Sequence, residues 1–130
     1  MDLLSYKVKS FKVIKWMRIE RFEEIIAWQK GKELSLLVYK LFKHNRDSGF
    51  RDQIQRAAVS IVNNIAEGFE RQSNKEFKQF LYIAKGSSGE VRSMALLALE
   101  LSYVDQNNFK RMESLSSETS RLISGFIKTL

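Results

Sequence analysis

Residues 53–69 carry two stripes of different character at the spacing of an α-helix. The apolar stripe follows steps of four and three residues and consists of Ile54, Ala58, Ile61 and Ile65. A polar stripe follows similar steps beside it and consists of Gln53, Arg56, Ser60, Asn63 and Glu67. Because residues at these spacings share a helix face, the segment predicts a helix that packs through one stripe and presents hydrogen-bonding groups to a neighbouring helix or subunit through the other.

The rest of the chain favours further helices, because it contains no proline and its apolar residues recur every three or four positions. Polar turn signals interrupt this periodicity at residues 45–49, 71–73 and 105–108. The residues placed to cap the following helices are Asp47 or Ser48, Ser73 with Glu76, and Asp105 or Asn107. The predicted helices cover about residues 20–43, 50–69, 74–102 and 107–129.

The third of these helices has a weak point at residues 86–89, where the sequence reads Gly-Ser-Ser-Gly. Two glycines in a helix interior are less favourable than alanine by about 2 kcal/mol together. The heptad spacing of Phe77, Ala84 and Val91 nevertheless passes through the segment unbroken. We therefore expect one continuous helix whose small residues permit close approach by a neighbour.

These elements predict an all-α fold, an antiparallel up-down-up-down four-helix bundle over residues 19–130. A chain of 130 residues suits a single domain. Hydrophobic residues at 44% and charged residues at 28% are ordinary for a globular protein. Short connections favour antiparallel neighbours in such a bundle.

Residues 1–18 are expected to form a basic N-terminal extension outside the bundle. The chain carries a net charge of +7, to which residues 1–21 contribute six basic and two acidic side chains. Two interpretations are open: a real basic arm, which is a candidate for disorder, or a gene start placed too early, with Met17 as the true first residue. The later start lowers the net charge to +4. An intact mass that includes residues 1–16 would exclude it.

Cysteine is absent, which excludes disulfides, thiolate zinc sites and cysteine nucleophiles and fits a reducing cytoplasm. Lysines interrupt the apolar residues of the N-terminal segment, so it does not have the pattern of an export signal. No run approaches the roughly 20 apolar residues of a membrane span. We expect a cytoplasmic protein with no membrane partner.

Three ordered blocks resemble one known family. They are residues 22–30 (FEEIIAWQK), residues 55–61 (QRAAVSI) with 64–68 (NIAEG), and residues 76–87 (EFKQFLYIAKGS). The chain is similar over about residues 18–128 to the bacterial four-helix-bundle proteins encoded in intervening sequences of large-subunit ribosomal RNA genes, often labelled S23 ribosomal proteins. It departs from the family pattern at Val62, where proline is common, and at residues 88–89, where the family has a leucine-containing segment.

The resemblance implies a bundle that assembles as a homo-oligomeric ring, with a homopentamer favoured. It also implies kinship with the accessory variability determinant of diversity-generating retroelements, a basic pentameric bundle that associates with reverse transcriptase and nucleic acid. A gene that lies inside an RNA intervening sequence need not encode a component of the ribosome. The family name therefore does not indicate a molecular mechanism.

Enzymatic chemistry is not expected. A di-metal site in a four-helix bundle uses Glu-x-x-His motifs, but this chain has one histidine, His44, and the residue three before it is Leu41. No phosphate-binding glycine loop with its lysine occurs either. We predict no catalytic residue, metal, cofactor or small-molecule substrate.

Two groups of residues are candidates for function. The predicted nucleic-acid contacts are Arg71, Lys75, Lys78, Lys85 and Arg92, of which the last three lie seven residues apart and share a helix face. The alternative is a solvated face that Glu76 and Glu90 partly neutralise. The predicted structural polar network or subunit contact consists of Arg56, Asn63, Asn64 and Glu67.

The leading hypothesis is a non-enzymatic homo-oligomeric scaffold whose basic surface binds RNA or a nucleic-acid-protein complex. The competing hypothesis is a structural or protein-interaction bundle with no nucleic-acid role. Binding to RNA that weakens as salt rises distinguishes the first from the second.

Overall fold

Four long helices joined by short turns account for nearly all of the chain that the computed structural model describes, which is residues 19–130. A short 3-10 turn, Phe22–Glu24, precedes them. The helices are α1 (Ile26–Phe42), α2 (Ser48–Phe69), α3 (Asn74–Glu100) and α4 (Gln106–Lys128). No strand occurs among residues 19–130. The predicted all-helical fold with four helices is confirmed, while the proposed extension of residues 1–18 lies outside the described residues.

The first helix begins later than its periodicity predicts, at Ile26 rather than near residue 20. Ile25 is extended, with φ −76° and ψ 121°, so it breaks the helical path between the 3-10 turn and α1. Its side chain is almost fully buried. Apolar burial at Ile25 thus outweighs the tendency of the helix to continue towards the N-terminus.

The other three helices begin at the caps that the sequence indicates. The side chain of Asp47 accepts a hydrogen bond from the backbone amide of Phe50, and α2 therefore starts at residue 48. Ser73 and Asp105 accept in the same way from the amides three residues later, at 3.1 and 2.8 Å. These contacts satisfy amides that have no partner within the first turn of a helix.

The core runs between the four helices. Helix α1 packs against α2 and α4, and α3 packs against the same two helices. All four members of the apolar stripe of α2, residues 54, 58, 61 and 65, are fully buried, as predicted. The largest fully buried side chains include Phe42, Phe77, Leu34, Leu81, Met112 and Ile123.

Two glycines bring helices close together. A Cβ atom placed on Gly31 of α1 would lie 3.0 Å from Ile61 Cγ2 of α2, and one placed on Gly68 would lie 2.6 Å from Phe80 Cβ of α3. Helix α2 ends at Phe69, in agreement with its predicted bounds of about 50–69. No glycine among residues 19–130 has a positive φ. The role of Gly68 is therefore close packing against α3.

Short hydroxyl side chains form a belt across the middle of the bundle, which we call the polar waist. Ser35 of α1 donates to the carbonyl oxygen of Ala58 in α2 at 3.1 Å. The hydroxyls of Ser60 and Ser87 share a hydrogen bond of 2.8 Å between α2 and α3. Between α3 and α4, Ser88 donates to the carbonyl of Ser116 and accepts from Ser120. The polar waist comprises Ser35, Ser60, Ser87, Ser88, Ser116 and Ser120.

Aromatic rings pack above and below this belt. Phe50 lies 5.7 Å from Phe42 and 5.2 Å from Tyr103, measured between ring centroids. At the opposite end, Phe77 lies 6.0 Å from Phe69 and 5.6 Å from Phe126. Aromatic side chains therefore fill both ends of the core.

Helix α3 is continuous through residues 86–89, as predicted. The expected close approach, however, occurs at the serines and not at the glycines. Ser88 is fully buried against α4, whereas Gly86 and Gly89 are exposed and a Cβ added to either would meet nothing within 4 Å. The two glycines therefore have no packing role among the described residues. Among the described residues, none of the helices combines the length and the hydrophobicity that spanning a bilayer requires.

Candidate nucleic-acid interface

Three predicted contact residues, Lys78, Lys85 and Arg92, lie along the side of α3 that borders α4. Arg92 fixes this direction, because its Nη2 atom lies 3.3 Å from Oε2 of Glu113 in α4. Lys85 and Lys78 stand seven and fourteen residues earlier on the same side of the helix. Lys85 and Arg92 are exposed and Lys78 is half-buried. The structure therefore brings these three cations together in one row.

The other two predicted residues lie apart from this row. Arg71, in the turn after α2, donates to Glu67 at 2.9 Å, and its guanidinium carbon lies 4.8 Å from the ring centroid of Phe80. Because Phe80 packs against Gly68 of α2, Arg71 sits on the α2 side of α3. Lys75 is exposed in the first turn of α3.

Helix α4 adds cations that the sequence analysis did not single out. Arg121 and Lys128 are exposed and seven residues apart, and Lys110 is exposed on the preceding turns. Ser120, directly before Arg121, contacts Ser88 of α3 at 2.9 Å. The seven-residue spacing of Arg121 and Lys128 is the sequence signal from which this second row could have been predicted.

These α4 cations do not border the groove between α3 and α4 together with the α3 row. Lys110 lines a groove with Leu36 of α1, and Arg121 lines a cavity with Ile25, so both lie on the α1 side of α4. We call the row on α3 the α3–α4 basic face, and its members are Lys78, Lys85 and Arg92. Glu113 is the acidic residue that contacts it, through Arg92. The face therefore carries an excess of positive charge.

The predicted polar network of α2 divides into separate contacts. Asn64 donates to the carbonyl oxygen and the hydroxyl of Ser60, one turn earlier, at 2.8 and 3.0 Å. Glu67 pairs with Arg71 instead. Arg56 and Asn63 are exposed. The structure thus does not join the four residues in one network, and their role in a subunit contact stays a prediction.

The same side of α2 makes one further contact with α3 at its N-terminal end. Gln53 donates to Oε2 of Glu90 at 2.6 Å. This hydrogen bond and the one between Ser60 and Ser87 use two residues of the polar stripe, Gln53 and Ser60, for contacts within the subunit. The exposed remainder of the stripe is available to solvent or to another chain.

Other surfaces offer less for the predicted chemistry. His44 is exposed beyond the end of α1, and within residues 19–130 no three His, Asp or Glu side chains are grouped closely enough to hold a metal ion. A groove of about 620 Å³ between α1 and α4 is lined by both signs of charge, among them Lys40, Arg111 and Glu33. This groove is open, and its charge is less uniform than that of the α3–α4 basic face.

Comparison with known proteins places the fold in context. The chain is similar to a crystal structure, at 1.70 Å resolution, of a protein of unknown function from the S23 ribosomal protein family of Bacteroides thetaiotaomicron VPI-5482. The TM-score is 0.74 at 25% sequence identity, and the match covers 79% of this chain and 99% of that one. No curated protein matches the sequence.

A family match covers most of the helical region. Residues 23–125 match the sequence profile described as 23S rRNA-intervening sequence protein. This range begins in the 3-10 turn before α1 and ends within the last turns of α4. The chain therefore belongs to the family of 23S rRNA-intervening sequence proteins.

Proposed function

We propose that this chain is a non-enzymatic, homo-oligomeric scaffold whose α3–α4 basic face binds RNA, alone or in an RNA-protein complex. The observation that carries the proposal is the row of three cations along the side of α3 that borders α4. The row contains Lys78, Lys85 and Arg92.

The dimensions of the face suit phosphates. Residues seven apart on a helix are separated by about 10 Å along its axis. The long, flexible lysine and arginine side chains of the row can therefore reach several phosphates spaced along an RNA strand. Such contacts contribute affinity that falls as salt rises, through the release of counterions.

The residues favour contact with the RNA backbone over reading of bases. The exposed aromatic residues Tyr39 and Tyr82 are not members of the α3–α4 basic face, so they offer no stacking platform within it. Phosphate contacts position a protein on a nucleic acid without conveying sequence information. We expect recognition of RNA shape and charge, with weak sequence preference.

Assembly belongs to the same proposal. The bundle has an up-down-up-down topology in this proposal, which the aromatic contacts of Phe42 with Phe50 and of Phe77 with Phe126 support. The subunits assemble as a closed ring, for which the family resemblance favours five copies. In a ring, each subunit repeats the basic face, and several weak contacts combine through multivalency. A monomer in light scattering at micromolar concentration would contradict the ring.

The remaining parts of the proposal rest on the sequence. The lone histidine without a Glu-x-x-His motif supports a non-enzymatic role that needs no cofactor. The lack of cysteine suits action in the cytoplasm. Kinship with the accessory determinant of diversity-generating retroelements stays a proposal, and it agrees with a nucleic-acid partner.

The experiment that tests RNA binding compares affinity across salt concentrations. A fluorescent RNA hairpin is titrated with the protein between 50 and 300 mM KCl, and the dissociation constant is followed by anisotropy. If the three cations of the row contact phosphates, log K should fall with log salt with a slope of about −2 to −3. The triple variant Lys78→Glu, Lys85→Glu, Arg92→Glu should lose most of this affinity and most of the slope.

A matched variant controls for net charge. Lys40, Lys43 and Arg46 are exposed near the end of α1, and changing all three to glutamate alters the net charge by the same amount on another surface. We expect this variant to retain most of the salt-dependent affinity. Equal loss in both triple variants, or affinity that does not respond to salt, would defeat the proposal.

A protein-interaction bundle without RNA is the second candidate. The exposed apolar side chains of α3, such as Tyr82 and Leu97, favour it, because unpartnered apolar residues often mark protein contacts. It predicts no RNA affinity at 50 mM salt and a stable protein partner recovered with the native chain from cells.

A further inference from the structure

The outward face of α3 is unusually apolar for a surface without a partner. Of the eight large hydrophobic side chains that are exposed in residues 19–130, five belong to α3 or to the residue after it. They are Tyr82, Ile83, Leu96, Leu97 and Leu101, with exposed fractions between 42% and 59%. Tyr82 and Leu97 point away from both α2 and α4. Ile83 lies one turn before Ser87, which contacts α2, and Leu96 lies one turn after Arg92, which contacts α4, so these two residues flank the face on either side.

The residues of this face are arranged symmetrically along the helix. Tyr82, Gly86, Gly89, Ser93 and Leu96 follow steps of four, three, four and three, as in a helix-packing seam. If the helix is turned end over end about the point between Gly89 and Glu90, Ile83 and Leu96 exchange places. Tyr82 and Leu97 also exchange places. A surface that matches itself after reversal is what a two-fold contact between identical chains requires.

The glycines at the centre of the face have no explanation inside one subunit. Gly31 and Gly68 each have a neighbouring side chain within about 3 Å of an added Cβ, whereas Gly86 and Gly89 have none within 4 Å. Glycine is unfavourable in a helix interior compared with alanine. Close approach of a helix from a second subunit, across the bare backbone, supplies the missing reason.

Charge fixes the relative direction of the two helices. The first half of α3 carries Lys75, Lys78 and Lys85 against Glu76, while the second half carries Glu90 and Glu100 against Arg92. Antiparallel pairing brings the positive half of one helix beside the negative half of the other, with Glu100 near Lys78. Parallel pairing would oppose like charges instead.

From these observations we infer that the outer face of α3 binds the same face of a second copy of this chain, with the two α3 helices antiparallel and crossing at Gly89. The contact is isologous, so it differs from the head-to-tail contact that closes a ring, and both can exist in one assembly. It does not depend on RNA binding. Because the α3–α4 basic face lies beside it, pairing would place two basic faces in one particle.

A single introduced thiol tests the two-fold axis directly. The chain contains no cysteine, so Gly89→Cys creates its only thiol. Helices that pack at about 8 Å, with Cα atoms about 2.3 Å from each axis, bring symmetry-related Cα atoms within the 4.4–6.8 Å of a disulfide. Mild oxidation of the folded protein should give a covalent dimer on a non-reducing gel.

Gly125→Cys is the matched control, since Gly125 is also exposed on a helix and has nothing within 4 Å of an added Cβ. It should crosslink far less than Gly89→Cys under the same conditions, and the preference should disappear in urea. Equal crosslinking of the two folded variants would overturn the inference.

A second pair of variants measures assembly without covalent chemistry. Gly89→Arg should halve the mass measured by light scattering and leave the helical circular dichroism spectrum unchanged, while Gly125→Arg should keep the original mass. Native mass in a folded Gly89→Arg variant would overturn the two-fold contact. RNA affinity per subunit, measured on the same samples, is expected to survive in Gly89→Arg. The two proposals therefore fail separately.

Discussion

The hydroxyl of Tyr103 donates a 2.6 Å hydrogen bond to Oδ2 of Asp47, while Oδ1 of the same carboxylate accepts from the backbone amide of Phe50. One side chain thus caps α2 and joins its first turn to the loop after α3. The hydrogen bond from Tyr103, with that from the Phe50 amide, lowers the pKa of Asp47, and the same contact raises the pKa of Tyr103.

The lowered pKa of Asp47 predicts acid sensitivity. A carboxylate whose pKa is lower in the folded state stabilises the fold above the ordinary aspartate pKa, and this stabilisation is lost as the pH falls through the lowered value, below about pH 4. Asp47→Asn keeps a capping side chain but does not titrate. The melting temperature of the parent should therefore fall more between pH 5 and pH 3 than that of Asp47→Asn. Parallel curves would contradict this assignment.

The residue before Tyr103 offers a stabilising substitution. Ser102 has φ 61°, the left-handed region, and α3 ends there with hydrogen bonds from the amides of Ser102 to Leu99 and of Tyr103 to Ala98. Glycine adopts this conformation without a Cβ penalty. Ser102→Gly should raise the free energy of unfolding by about 1 kcal/mol, measured by urea denaturation. Destabilisation would mean that the side chain has a role beyond the backbone turn.

Gly68 should tolerate no side chain. A Cβ at this position would lie 2.6 Å from Phe80 Cβ and 2.9 Å from Phe77 Cδ1, so Gly68→Ala must displace α3 or the ring. We expect a loss of about 1–3 kcal/mol, typical of overpacking, after the gain in helix propensity is included. Gly125→Ala, with open space, should instead gain up to about 1 kcal/mol. The free energy of unfolding in urea measures both, and similar values would be inconsistent with close packing at Gly68.

The spacing between α3 and α4 should depend on Ser88. Its hydroxyl donates to the Ser116 carbonyl at 2.8 Å in a fully buried position. Ser88→Val adds volume where the helices are in contact and removes the donor, so we expect destabilisation by about 2–3 kcal/mol. Ser88→Ala adds no volume but removes both the hydrogen bond to Ser116 and the one from Ser120, and it should lose about 1–2 kcal/mol. Thermal denaturation followed by circular dichroism should rank the parent, alanine and valine proteins in that order.

Removal of Glu113 should strengthen RNA binding. The carboxylate pairs with Arg92 at 3.3 Å on an exposed surface, where such a pair contributes at most about 1 kcal/mol to stability. Glu113→Gln leaves Arg92 unpaired within the α3–α4 basic face. The salt slope of log K should steepen by about 1, with a nearly unchanged melting temperature. A weaker RNA complex would argue that Glu113 positions Arg92 for binding.

Much of the fold followed from spacing and capping. The apolar stripe of α2 is buried, and Asp47, Ser73 and Asp105 cap their helices, because these signals act within a few residues of sequence. The predicted start of α1 was wrong, because the actual start depends on the burial of Ile25, which involves contacts with residues distant in sequence. The close contact of Gly68 was not predicted for the same reason, because the residue that it meets, Phe80, lies on another helix.

The candidate site was only partly predictable. Spacing placed Lys78, Lys85 and Arg92 on one side of α3, but it does not say which helix borders that side. The contact between Arg92 and Glu113 identifies that helix as α4. Conversely, Arg56 and Asn63 share the polar stripe of α2 with Ser60 but extend into solvent. The stripe is wider than the groove between two helices, so not all of its residues can enter that groove.

The polar waist also limits how the four helices align along the bundle axis. Its hydroxyls find their acceptors only while Ser35, Ser60, Ser88 and Ser116 stand at their present heights. Sliding one helix by a single turn, about 5.4 Å, would separate its hydroxyl from its partner, and burial of an unpaired polar group is unfavourable. Apolar side chains alone would accept several such offsets. The serines thus make one axial register more favourable than its neighbours.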